Sequence, residues 1–247
     1  MNTEPHPDPA AGRPPATTET AEIDPAEIDP AEIDPAEIDP ATLVRRALLA
    51  SATELSAALD AVRPGDRRRL KALDRWFGGF AAQVRSHHEL LDGVVVPTLA
   101  ARGALDDRAL DALADDHAAI DELLSDLGDA LGVLSFGLGA EDFWVAKAAD
   151  LAAVLRYVLG HQLRREDALL TPLVARVLDG DERAAVHDDT VRAVADGPVR
   201  FSLAWLFAHV TETERAVLDR HATVAGRLLG RTGRGAYQRT TVAALGC

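Results

Sequence analysis

The stretch LDALADDHAAIDELLSDLGDALGVL, residues 110–134, decides the fold. Leu110, Leu113, His117, Ile120, Leu124, Leu127, Leu131 and Leu134 step by threes and fours, the spacing that lines one face of a helix and makes a seam against other helices. No segment of the chain shows the period-two alternation of a half-buried strand. One seam position is not apolar. His117 sits where a leucine belongs, and it is the first sign that the interior carries chemistry.

Working outward, the same Ala, Leu, Arg, Asp and Glu texture predicts helices over about Thr42–Val62, Asp66–Ala101, Asp106–Phe136 and Ala140–Leu178. Turn residues separate them: Arg63-Pro64-Gly65, Gly103 and Gly137-Leu138-Gly139. Asp66 is placed to cap the second helix, and Pro97 inside it implies a kink or a frayed end. Short loops favour antiparallel neighbours, so the expected fold is all-α, an up-down-up-down four-helix bundle over residues 41–180. A short helix near Asp181–Ala195 and longer ones between Pro198 and Leu229 make a helical C-terminal extension over 181–247, expected to end loosely around Gly230, Gly233 and Gly235. Gly78-Gly79, in mid-helix, reads as a place of close helix contact, and Trp76, Phe77 and Phe80 read as core.

Residues 1–40 differ in kind. They hold nine of the thirteen prolines and eleven Asp or Glu against the single Arg13, and AEIDP occurs four times between Ala21 and Pro40. Proline every fifth residue blocks a continuous helix, and one isoleucine per repeat buries too little to offset chain entropy. A disordered acidic tail is expected. It carries most of the net charge of −14, which leaves the folded part nearly neutral, without the basic stripe of a nucleic-acid surface. No apolar run is long enough for a bilayer, and the opening residues MNTEPHPDP show neither a basic n-region nor an apolar h-region. The only cysteine, Cys247, permits no internal disulfide, so a cytoplasmic location is expected.

Three histidine positions fall on predicted core-facing stripes of consecutive helices. On the second helix, Leu73, Phe77, Phe80, Val84, His87, Leu91 and Val94 form one stripe, and Phe77, Ala81, Val84, His88, Leu91 and Val95 form its neighbour. The pair therefore straddles the buried face, and either ring can point inward. On the fourth helix, Leu151, Val154, Val158, His161 and Ala168 align. Counting from each loop at about 1.5 Å per residue puts His87/His88, His117 and His161 in one layer. Each has a carboxylate downstream: Asp92, Asp121 and Glu166. His88 with Asp92 and His117 with Asp121 are four apart and share a face. His161 and Glu166 are five apart, and they converge only with the reach of the long Glu166 side chain or a local π-bulge. Imidazole and carboxylate donors together suit iron, manganese or zinc, and a set with open positions suits iron and dioxygen chemistry.

HHELLDGVVVP (His87–Pro97), the lone His117 and HQLRREDALLTP (His161–Pro172) together resemble the hemerythrin-like, HHE cation-binding domains, over roughly Leu43 to Leu178. The resemblance implies a four-helix bundle with a non-haem iron centre, di-iron or mononuclear. Such a centre binds or senses O2, NO or peroxide, or holds iron, and the likeness implies a metal binder more than an enzyme. The implied ligands are His87 or His88, Asp92, His117, Asp121, His161 and Glu166, with Glu89 as a bridge between metals. The chain departs from the family at three places: Arg45 stands near the first-helix histidine, and Leu91 and Arg165 stand where glutamates are usual. These departures admit a second reading, a degenerate, metal-free helical bundle that serves as a protein-interaction module. There Arg45 and Arg165 would pair with Asp92, Asp121 or Glu166 in place of a cation. His187, His209 and His221 are read as belonging to solvated helix faces.

Overall fold

A computed structural model describes residues 38–137, 141–197 and 201–246, apart from the side chain of residue 229. Among these residues all regular structure is helical: α1 Pro40–Asp60, α2 Arg67–Leu90, a π-helical turn Leu91–Val95, α3 Val96–Ala100, α4 Asp107–Phe136, α5 Glu141–Val177, α6 Gly180–Ala195, α7 Ser202–Leu206, α8 Glu212–His221 and α9 Val224–Leu245. The expected acidic tail, except for Ile38, Asp39 and Pro40, lies outside the described residues, as do Leu138 and Gly139 of the third turn.

The helix starts follow local chemistry. Asp66 accepts from the Arg69 N–H at 3.1 Å and Asp106 from the Ala109 N–H at 2.8 Å, each satisfying a donor that the first helical turn cannot. α1 begins inside the last AEIDP unit, two residues before the expected start. Asp39 accepts from the Ala41 N–H at 2.9 Å and Pro40 takes the first helical position. The proline that forbids a helix across the repeats is well suited to open one, because its missing N–H is unneeded there. At the other end of α4, Gly137 takes φ +70°, the left-handed cap.

α5 packs against both α1 and α4, and α4 packs against α2. The outer side of α2 is covered by α6 and α9, while α7 packs on α9. The C-terminal helices share the main core: Val191, Phe201, Trp205, Leu218 and Tyr237 belong to the same apolar cluster as Leu48, Phe80, Leu127 and Leu155. Aromatic rings tie them together, with Trp76 edge-on to Phe201 at 5.4 Å and Phe201 edge-on to Tyr237 at 5.3 Å. Gly79 admits this contact. A Cβ there would stand 2.4 Å from the Phe201 ring, whereas one on Gly78 would meet nothing within 4 Å. The expected loose ending is corrected: α9 continues through Gly230, Gly233 and Gly235 to Leu245. A Cβ on Gly230 would lie 2.7 Å from the Phe207 ring, so this glycine lets α9 press closely enough for tertiary packing to override poor helix propensity.

A second, smaller apolar cluster contains Leu90, Leu91, Val95, Leu99, Leu113, Leu170 and Leu173. Between the two clusters lies a buried polar layer, flanked on α2 by Val84 and Leu90, on α4 by Ile120 and Leu113, and on α5 by Leu163 and Leu170. Among the described residues no helix is long and apolar enough to cross a membrane.

Candidate metal centre

The polar layer is built by His87, His88, His117, Gln162 and Glu166, all buried, with Glu166 fully inaccessible. Both rings of the α2 pair point inward. His87 Nε2 lies 2.9 Å from Glu166 Oε2, and His117 Nε2 lies 3.2 Å from Glu166 Oε1. The opposite nitrogen of His117, Nδ1, is 2.9 Å from Asp92 Oδ1 and 3.0 Å from its Oδ2. With a carboxylate on each side, both His117 nitrogens must donate, which makes the ring an imidazolium. The Gln162 amide N–H donates to Glu166 Oε1 and lies 3.2 Å from His88 Nε2. His88 stacks on His117 at 4.1 Å between ring centroids.

The electrostatics follow from this packing. Burial works to raise the Glu166 pKa, but the electrostatic pull of His87 and the hydrogen bonds from His117 and His87 override it and hold the carboxyl well below its usual range. Burial also works to lower His117, and there the hydrogen bonds to Glu166 and Asp92 win and raise it. His88 has no such anchor: burial, then its neighbours His117 and His87, lower it to about 3. Two buried polar atoms of the layer, His88 Nδ1 and Gln162 Oε1, lack a hydrogen-bond partner, an expensive condition in a core.

Asp92 reaches His117 because of the π turn. Pro97 has no N–H to return to the previous turn, and its ring would crowd the Gly93 carbonyl. The helix widens instead, with Val96 N–H donating to Leu91 O. The kink or frayed end expected at Pro97 takes the form of this wide turn.

The remaining expected ligands separate. His161 is exposed on the outer face of α5, and this corrects the predicted stripe. The buried face of α5 is Leu155, Leu159, Gln162, Glu166, Leu170 and Leu173, while Val154 is exposed. Gln162 thus holds the core place assigned to His161. Glu89 is exposed and bridges nothing in the layer. Asp121 sits at the rim, half exposed, its Oδ1 4.0 Å from His88 Nδ1 and 3.8 Å from Arg85 Nε. The two arginines also stay outside. Arg45 pairs with Asp167 at 2.6 Å and Arg165 with Asp116 at 2.6 Å, so neither neutralises Asp92, Asp121 or Glu166. Beyond the layer, His187 and His221 meet edge-on at 5.5 Å, and His221 Nδ1 pairs with Asp188 at 2.8 Å.

The histidine stripe of the sequence does not point to Gln162. The leucine phase of α5 does: Leu155, Leu159, Leu170 and Leu173 select a stripe one residue away from that of Val154 and His161. Among the described residues no group of three or more His, Cys, Asp and Glu side chains stands ready to hold a metal ion; the donor atoms of the layer are directed at one another. The chain matches no family model, no curated protein and no solved structure.

Proposed function

We propose that α1, α2, α4 and α5 are the four helices of an up-down-up-down bundle of the hemerythrin-like kind, and that its polar layer binds one transition-metal ion, iron foremost. The role that goes with it is binding or sensing O2, NO or peroxide, or holding iron. One observation carries this reading: a fully buried glutamate on α5 faces the Nε2 atoms of histidines from two other helices, at 2.9 and 3.2 Å. Donors bound to one ion at about 2.0–2.2 Å stand about 3 Å apart. A shared proton and a shared cation therefore ask nearly the same spacing of these atoms.

In this reading His87, His117 and Glu166 hold the ion, too few donors for two metals. Asp92 sits behind His117 and fixes its ring, as carboxylates do behind ligating histidines. The partnerless Gln162 Oε1 offers a fourth polar atom from α5. Bound iron would supply a redox-active Lewis acid with positions open to a small ligand. The chain's own contribution is to exclude water, with Leu91, Leu113 and Leu170 beside the layer, and to give up the His117 proton. Binding therefore releases a proton and weakens as pH falls below the raised pKa of His117.

The test is anaerobic loading with ferrous iron, desalting and metal analysis, with proton release followed in weak buffer. The expected result is about one iron per chain in wild type and in His161→Ala, and less than about a tenth of that in Glu166→Gln. A second reading, the metal-free interaction module, draws on the three donors that Glu166 already has. Wild-type protein that retains no iron, manganese or zinc at neutral or mildly alkaline pH would decide for it.

A further inference from the structure

We propose that a cavity beside the polar layer binds an aliphatic carboxylate. The cavity lies between the start of α1, the end of α2 with its π turn, the end of α5, and α6, and measures about 440 Å³, within the usual range for a small-molecule site. Leu91, Val95, Leu170, Val174 and Val186 give it an apolar wall. Two guanidinium groups, Arg45 and Arg183, share that wall.

Their state points to the ligand. Arg45 is buried, and its Nη2 is taken by Asp167, Thr42 and Thr171 at 2.6–2.9 Å. Its Nε is buried with no hydrogen-bond partner. Arg183, half-buried, gives one hydrogen bond to the Ala175 carbonyl at 2.9 Å, and no ion pair joins it to a carboxylate among the described residues. The one acidic residue of the lining, Asp39, is engaged in capping α1 and lies 3.6 Å from Arg45 and 3.5 Å from His187. An unneutralised cation, Arg183, beside an apolar wall calls for an anion with a hydrocarbon body. A planar carboxylate matches guanidinium geometry, and the volume suits a chain of about eight to ten carbons. A cationic amphiphile would meet the like charge of Arg183 instead. His87 lines the same cavity, so the bound chain would lie against the polar layer. The inference does not rest on the metal reading, because the recognising groups are the two arginines.

The experiment is calorimetric titration of the full, metal-free chain with octanoate and decanoate below their micellar concentrations, with octan-1-ol and decyltrimethylammonium as comparators. Saturable binding at about one carboxylate per chain is expected, about tenfold or more tighter than the alcohol, with no uptake of the ammonium. Arg183→Gln should weaken decanoate by about tenfold, Arg183→Lys should weaken it less, and Val174→Trp should abolish it by filling the space. Circular dichroism reports whether each variant folds; if Val174→Trp does not, the Arg183 pair still decides. Absence of saturable binding, equal binding of the alcohol or ammonium, or no response to Arg183→Gln overturns the proposal.

Discussion

Helix α2 crosses two layers that are held by different rules. Around Trp76 and Phe80 it packs rings against Phe201 and Leu127 in a mainly apolar core. Two turns later, at His87 and His88, everything it touches in the layer is a hydrogen-bonding or titratable group. The first layer depends on shape, the second on each polar atom finding a counterpart. Shape degrades gradually as volumes change, whereas a buried network fails when one member loses its partner.

The largest effect should come from breaking the polar layer at its hub. Glu166→Ala leaves His87 and His117 buried without their carboxylate, and should cost about 3–5 kcal/mol of unfolding free energy in urea denaturation of the metal-free protein. A loss below about 1 kcal/mol would mean that the histidines find water or rearrange freely. The same layer should respond to acid. The folded pKa of His88, about 3, lies below its ordinary 6.5, so between those values the unfolded chain takes up a proton that the folded chain refuses. This contribution is intact above about pH 6.5 and declines toward pH 3, at up to about 1.4 kcal/mol per unit. His117 acts in another window: its raised pKa gives stability that is full below about 6.5 and is lost as pH rises through the folded value. Denaturation over a pH series, wild type against His88→Gln, should show the acid-side slope shrinking in the variant. Parallel curves would remove His88 as its source. In the aromatic layer the contrast reduces to one methyl group. Gly79→Ala drives a Cβ into Phe201 and should cost about 1–3 kcal/mol. Gly78→Ala meets open space and should gain about 0.5–1 kcal/mol from helix propensity. Equal melting shifts for the two variants would contradict the close approach.

These two layers were not equally legible from residue order. The seam of α4 was, including His117, because its pattern is repeated over six turns and every member beyond Leu110 is buried. The phase of α5 was not. Val154, Val158 and His161 compete with Leu155, Leu159 and Gln162 one residue away, and the eye follows the histidine where packing follows the leucines. That both His87 and His88 are inside could not be read from α2 itself. Its second side is covered by α6 and α9, more than ninety residues along the chain, and only that long-range packing closes the face. Arg45 illustrates the same limit: its partner Asp167 is next to Glu166 in sequence yet turned outward. The end of the last repeat joins the fold. Ile38 packs on the core and Asp39 opens α1.

The five-residue wide turn on α2 also sets what kind of change that segment can absorb. It holds one residue more than regular winding would need, and each residue of an α-helix advances the helix by about 100°. Deleting Gly93 would remove that extra residue and leave Val95 and Leu99 in phase with α2, while taking from Asp92 the wide turn that carries it to His117. The apolar contacts that follow therefore tolerate the shorter segment, and the cost falls on the Asp92–His117 contact and on Pro97, whose ring the wide turn accommodates.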